Sequence, residues 1–253
     1  MQMPMTRKTL ALAFVLLAAV SGFGYAKLDK NGFGHSAPTL NSAVKLSLWS
    51  TYYYVHEALY DASGVGLNDA DGKPTGVKLA NCDWCDAAIE GTVRTTDKNG
   101  KAVTLNYATT SSTQQCDCSL TCSKYARYAN KKIGYTLWAP ARGEFGDGVA
   151  GYKLVPFRTI AVDKKFIPIG SLIYIPQAVG VEITLPNGSR SKHDGYFFAA
   201  DVGGDIKANH IDVFFGRKAK NPFGFVTSKP EGTFDAYLVN GIAAEIEIGK
   251  LHK

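Results

Sequence analysis

The sequence predicts an all-β domain, a barrel or a sandwich, on three observations. Short runs rich in β-branched and aromatic residues follow one another from Leu154 to the C-terminus. Turn residues, above all Pro186-Asn187-Gly188, separate those runs at short intervals. No long amphipathic helix, solenoid repeat or low-complexity tract interrupts them.

In order, the predicted strands are Leu46–Val55, Thr92–Thr96, Ala102–Tyr107, Leu154–Val162, Ser171–Ile175, Val181–Leu185, Tyr196–Ala200, Ile211–Phe215, Phe234–Val239 and Ile242–Ile248. Asp97-Lys98-Asn99-Gly100 closes a hairpin between the second and third. Residues 27–45 read as loose, 61–76 as a long turn region and 108–150 as irregular. Asn68-Asp69-Ala70-Asp71-Gly72 lacks the ligand spacing and closing Glu of a calcium loop and reads as a solvated turn.

The N-terminus carries an export signal. Arg7 and Lys8 precede the apolar run Leu10–Val20, and Gly24-Tyr25-Ala26 fits a signal-peptidase site. The run is too short to span a bilayer comfortably, and no later segment is long and apolar enough to do so. Export to the periplasm, to an outer-membrane-associated position or to the medium is therefore expected. A hydrophobic content of 45% and an aromatic content of 11% place the rest among globular chains. The net charge of +6 comes from dispersed residues, with no Lys/Arg stripe interleaved with aromatics, which excludes nucleic acid as an expected partner.

Five cysteines, Cys82, Cys85, Cys116, Cys118 and Cys122, lie close together. The wide Cys85-to-Cys116 gap and the exported context argue against zinc, and no βαβ setting supports a redox CxxC. Disulfide staples are expected, with at least one thiol left over because five is odd. No metal or other cofactor is expected. Asp86 and Glu90, one helical turn apart, share a helix face; an exposed acidic face is the preferred expectation, and entry into a binding cleft as extra acids or sugar ligands is the alternative.

Three aspartates stand against apolar runs. Asp163 ends Thr159–Val162, Asp201 ends Tyr196–Ala200 before Gly203-Gly204, and Asp212 lies within Ile211–Phe215. On a strand, Asp201 shares a face with Phe197 and Ala199. Partial desolvation there raises a carboxyl pKa and suits a general acid, although any one such Asp can equally close a turn.

Leu154–Asp163 with Ile167–Ser171, and Ala199–Lys207 with His210–Phe214, resemble the two halves of the 3D domain, which is named for three aspartates. The domain occurs in the membrane-bound lytic transglycosylase A family. The resemblance implies a double-psi β-barrel over residues 146–250. It also implies a first barrel strand around Trp49–Tyr53 within residues 27–145, and a cysteine-bearing insertion after it. By that resemblance Asp201 is the single acid/base cleaving peptidoglycan glycan strands to 1,6-anhydro products, with Asp163 and Asp212 holding or tuning it. Asp205 stands where the family carries a small residue and would add negative charge near Asp201. Further substrate contacts are expected from Asp205, Lys207, His210, Arg158 and Tyr52. The alternatives are a two-carboxylate O-glycosyl hydrolase on the same barrel and a non-catalytic glycan-binding or interaction protein.

Overall fold

The computed structural model describes residues 28–128 and 132–253. The expected signal at residues 1–26 lies outside them. Among the described residues thirteen strands and three α-helices follow in chain order: β1 (Val44–Glu57), β2 (Val65–Asn68), β3 (Pro74–Leu79), α1 (Asn81–Glu90), β4 (Thr92–Thr96), β5 (Ala102–Thr110), α2 (Cys118–Thr121), β6 (Thr136–Pro140), β7 (Thr159–Val162), β8 (Leu172–Tyr174), β9 (Glu182–Thr184), β10 (Arg190–Lys192), β11 (Tyr196–Asp201), β12 (His210–Arg217), β13 (Phe234–Val239) and α3 (Ala243–Leu251).

Six of these strands close a barrel in the order β12-β7-β11-β8-β13-β1, with β1 pairing back onto β12. The β1–β12 and β7–β11 pairs are parallel and the others antiparallel, as in a double-psi β-barrel. Closure leaves no free edge. Leu48, Ile160, Val162, Ile173, Phe197, Ala199, Ile211, Val213 and Phe215 fill the interior. The outer face of Phe198, Leu172 and Val239 is covered by α3.

That helix corrects a sequence expectation. Ile242–Ile248 alternates Glu and Ile like a strand, yet it lies mainly within α3. Only Ala244 and Ile248, four residues apart, are buried, while Ile246 is exposed. A stripe at i and i+4 packs as a helix, and the Glu245 carboxylate fixes the turn by accepting the Gly241 N–H at 2.7 Å.

Strand β1 runs beyond the barrel. Its end pairs in parallel with β4, at His56 with Val93 and Glu57 with Arg94, and β4, β5 and β6 form an antiparallel insertion sheet. The expected turn region 61–76 contains the hairpin β2–β3, whose turn is held by Asp69 Oδ1 accepting from the amides of Asp71 and Lys73. Trp84 and Trp138 meet edge to face in the insertion core. Disulfides Cys82–Cys122 and Cys85–Cys118 tie α1 to α2, and Cys116 is a buried free thiol. The Pro186–Gly188 turn joins β9 to β10, a polar strand the sequence pattern does not mark.

Residues 29–36 pack rather than hang loose, and the reason is Arg158. This side chain is fully buried and does not meet the expectation of a sugar contact. Its guanidinium donates to both oxygens of Asp194, at 2.5 and 2.8 Å, and to the carbonyls of Tyr196 and Gly32. The Phe33 ring covers it at 3.9 Å. Asp194 also accepts the amides of Gly34 and His35. Burial pushes the Asp194 carboxyl up, but the bonds from Arg158 override this and hold it at about 2. Arg158→Ala would leave that carboxylate buried and unpaired, so urea denaturation should show a loss of about 3–5 kcal/mol.

Candidate active site

The floor of the site follows from register. Strand β7 lies between β11 and β12, and Ala161 is the register partner of both Asp201 and Asp212. Across the next pair, Asp212 faces Thr51 of β1. Register partners project to the same side of a sheet, so Asp201, Ala161, Asp212 and Thr51 form one row over four strands. The small Ala161 leaves room for both carboxyls to lean over it.

Each carboxyl has a hydroxyl partner on β1. Tyr53 donates to Asp201 Oδ2 at 2.8 Å. The Thr51 hydroxyl lies 2.7 Å from Asp212 Oδ1, donating to it while the carboxyl is ionised, and 2.9 Å from His210 Nε2. His210 is buried and stacks on Trp49 with ring centres 3.6 Å apart.

Tyr53, Ala161, Asp201 and Asp212 floor a cleft of about 580 Å³ between barrel and insertion, with Thr51 and His210 behind Asp212. The insertion contributes Glu90, Thr92, Asn106 and Tyr107. The loop after β6 closes one side. Asn106 and Asp147 exchange two hydrogen bonds there, and Val149 N–H donates to the Ala200 carbonyl beside Asp201. Gly148 allows that contact, since a Cβ would stand 2.2 Å from the Ala200 carbonyl oxygen.

Three carboxyls in the cleft hold their protons to unusually high pH. Burial raises Asp201 to about 6, against the opposing bonds from Tyr53 and the Val202 amide. Burial raises Asp212 to about 7, with the Asp201 charge adding to it. Burial also raises Glu90 to about 7, although the Tyr54 N–H, donating at 3.0 Å, opposes it.

Residues 158–231 match the family model of the 3D domain. The protein carries a 3D domain. Its fold is similar to that of Escherichia coli MltA, solved with bound chitohexaose, at 14% identity and a TM-score of 0.50 over 78% of this chain and 74% of that one. A membrane-bound lytic murein transglycosylase from Agrobacterium tumefaciens aligns at 14% identity and a TM-score of 0.48, covering 81% and 78% of the two chains. LtgG of Burkholderia pseudomallei aligns at 18% identity and a TM-score of 0.36, covering 77% and 71%. At such identities the likeness is one of fold. No curated protein sequence matches the chain significantly.

Of the three aspartates that the sequence sets against apolar runs, the cleft collects two. Asp163 stands outside the cleft lining, where its carboxylate accepts the amides of Lys165 and Ala208 and is held below the usual range by those bonds. It ties the turn after β7 to the loop before β12. Asp205 and Lys207 are exposed and also outside the lining. Tyr52 projects away and stacks on Phe215 at 4.7 Å, so its neighbours Thr51 and Tyr53 occupy the site instead. The period-two alternation of a strand is the signal that could have separated them, once one register contact is known.

The acidic helix face expected for Asp86 and Glu90 is not exposed. Asp86 is engaged by Lys124 and Tyr125, and Glu90 enters the cleft at the end of α1. The left-handed Gly91 ends the helix there and turns the chain into β4.

A raised carboxyl binds its proton more tightly in the folded than in the unfolded state. From the three cleft acids, stability is therefore greatest while they are protonated. It falls as pH rises from the ordinary value near 4 through the native values of about 6 to 7. Asp201→Asn should stabilise the protein by roughly 2–3 kcal/mol near pH 8 and hardly at all near pH 3, as read by urea denaturation. An identical pH dependence in variant and wild type would contradict this.

Proposed function

We propose that the protein cleaves the glycan strands of peptidoglycan by a lytic-transglycosylase mechanism with Asp201 as acid and base. The observation that carries this is a carboxyl raised to about 6 at the floor of an open cleft, held by the one hydroxyl of Tyr53. Such a group is partly protonated near neutrality and ionises readily, which is what a residue serving in both directions needs.

Protonated Asp201 donates to the oxygen between N-acetylmuramic acid and N-acetylglucosamine. As that bond breaks, the carboxylate so formed takes the proton of the muramoyl C6 hydroxyl. That hydroxyl closes the 1,6-anhydro ring. The nucleophile belongs to the substrate, so no second carboxylate has to activate water, and proximity supplies much of the rate. The cleft suits a polymer because its open side is bordered by Gly203 and Gly204, and a Cβ at Gly204 would meet nothing within 4 Å. The insertion wall adds the half-exposed Tyr107 ring and the Asn106 amide, suitable partners for sugar faces and hydroxyls. Export, as the sequence of residues 1–26 leads one to expect, would bring the enzyme to the side of the membrane where this substrate lies.

One observation favours a second reading. Asp212 and Glu90 share the cleft with Asp201, and either could activate water as the second carboxylate of a hydrolase. Products separate the two. Mass spectrometry after incubation with purified peptidoglycan should show anhydro-muropeptides that are missing with Asp201→Asn. Reducing-end products would establish the hydrolase. Binding without products, unchanged by Asp201→Asn, would leave a glycan-binding module.

A further inference from the structure

We propose that Thr51 and His210 act as a positioning pair that holds Asp212 as a neutral carboxylic acid, leaving Asp201 as the carboxyl of the barrel floor that exchanges protons with substrate. The second half of this rests on the function proposed above. The first half stands on the geometry of the Thr51 hydroxyl and on the burial of its two partners.

The Thr51 hydroxyl has one proton and two partners, Asp212 Oδ1 at 2.7 Å and His210 Nε2 at 2.9 Å. It donates to one and accepts from the other, so the direction of both bonds is set by where the pair keeps its shared proton. The His210 ring is fixed by its stack on Trp49. The backbone carbonyl of Asp205 also accepts from this ring. With Nε2 turned to Thr51, the nitrogen left for that carbonyl is Nδ1. A neutral ring protonated at Nδ1 presents a lone pair at Nε2. Thr51 then donates to His210, and the bond to Asp212 forms only if Asp212 supplies the proton.

The competing arrangement is an imidazolium and a carboxylate. It has the same total charge and differs by one concerted shift. The Nε2 proton passes to Thr51 Oγ while the hydroxyl proton passes to Asp212 Oδ1, and two opposite charges are cancelled. Burial favours the cancelled form on both sides, lowering His210 and raising Asp212 to about 7. The groups facing Asp212 are Asp201 on β11, Glu90 on α1, Tyr53 on β1 and the apolar Ala161 on β7; the Asp201 charge raises Asp212 further, while the Thr51 hydroxyl bond opposes burial without overcoming it. Asp205 favours a charged ring, but less than burial opposes it. A neutral Asp212 spares Asp201 a second negative charge in the same row, and its Oδ2 stays available to accept from a sugar hydroxyl.

Nitrogen-15 NMR of the side chain of His210, with carbon-13 NMR of the Asp212 carboxyl, tests this near pH 6 on the whole protein without substrate. The proposal expects a bare Nε2, a protonated Nδ1 and an acid-form Asp212 carboxyl in the wild type and in Thr51→Ser. In Thr51→Val, Nε2 loses its donor, the ring relaxes toward a tautomer mixture, and kcat falls about tenfold with KM nearly unchanged. A proton on Nε2 with Asp212 ionised, whether the ring is neutral or cationic, would overturn the proposal. Thr51→Val with wild-type tautomer and kcat would overturn it equally. If the tautomer is as expected but peptidoglycan is not cut by the wild type, the function fails and the neutral Asp212 stands.

Discussion

Strand β1 closes the barrel against β12, and its register there positions most of what the cleft contains. Pairing Thr51 with Asp212 sets the odd-numbered side chains of β1 toward the carboxyls. Two residues on, Tyr53 reaches Asp201. A slip of one residue would turn Tyr52 and Tyr54 inward in place of Thr51 and Tyr53 and break both observed hydroxyl–carboxyl bonds. Past the barrel, the same strand pairs with β4 and so aims the insertion, with Glu90, over the barrel floor. Barrel closure, acid placement and the opposite wall of the cleft thus rest on one continuous strand.

The electrostatic cost of this arrangement is concentrated where the chemistry is. Three carboxyls sit in one cleft, raised by burial and, for Asp212 and Glu90, by neighbouring negative charge. The barrel offsets that cost elsewhere. Arg158 and Asp194 form a buried, bidentate ion pair that pins residues 29–36. In the insertion, two disulfides hold α1 against α2, and Glu90 stands at the far end of α1. Rigid supports on both sides let a destabilised acid remain in place.

Much of the barrel was legible in the sequence because closed barrels bury both faces of short strands, which then read as apolar runs. The strands β7, β8 and β13 fall within runs marked beforehand, and β1, β11 and β12 contain theirs and extend one or two residues past them. The C-terminal helix was misread because Glu-Ile-Glu-Ile alternates like a strand, and only the packing of Ala244 and Ile248 reveals the helical stripe. Asp201 and Asp212 stood out as acids against apolar segments. Their partners did not, since the face a strand residue occupies depends on a register that composition does not carry. Arg158 looked like a ligand contact because its partners, Asp194 and the Gly32 carbonyl, are remote in sequence. For Glu90 the sequence offered both an exposed face and the cleft, and the choice was not legible because it depends on a bond to Tyr54, remote in sequence.

The central claim is that burial at the end of β11, moderated by Tyr53, makes Asp201 the titrating acid of the cleft. A carbon-13 NMR titration of the Asp201 carboxyl in the wild type and in Tyr53→Phe tests it most directly. The account predicts a midpoint near 6 in the wild type and a higher one in Tyr53→Phe, because the hydroxyl stabilises the ionised form. A midpoint near the ordinary 3.8 that does not move when the hydroxyl is removed would contradict it.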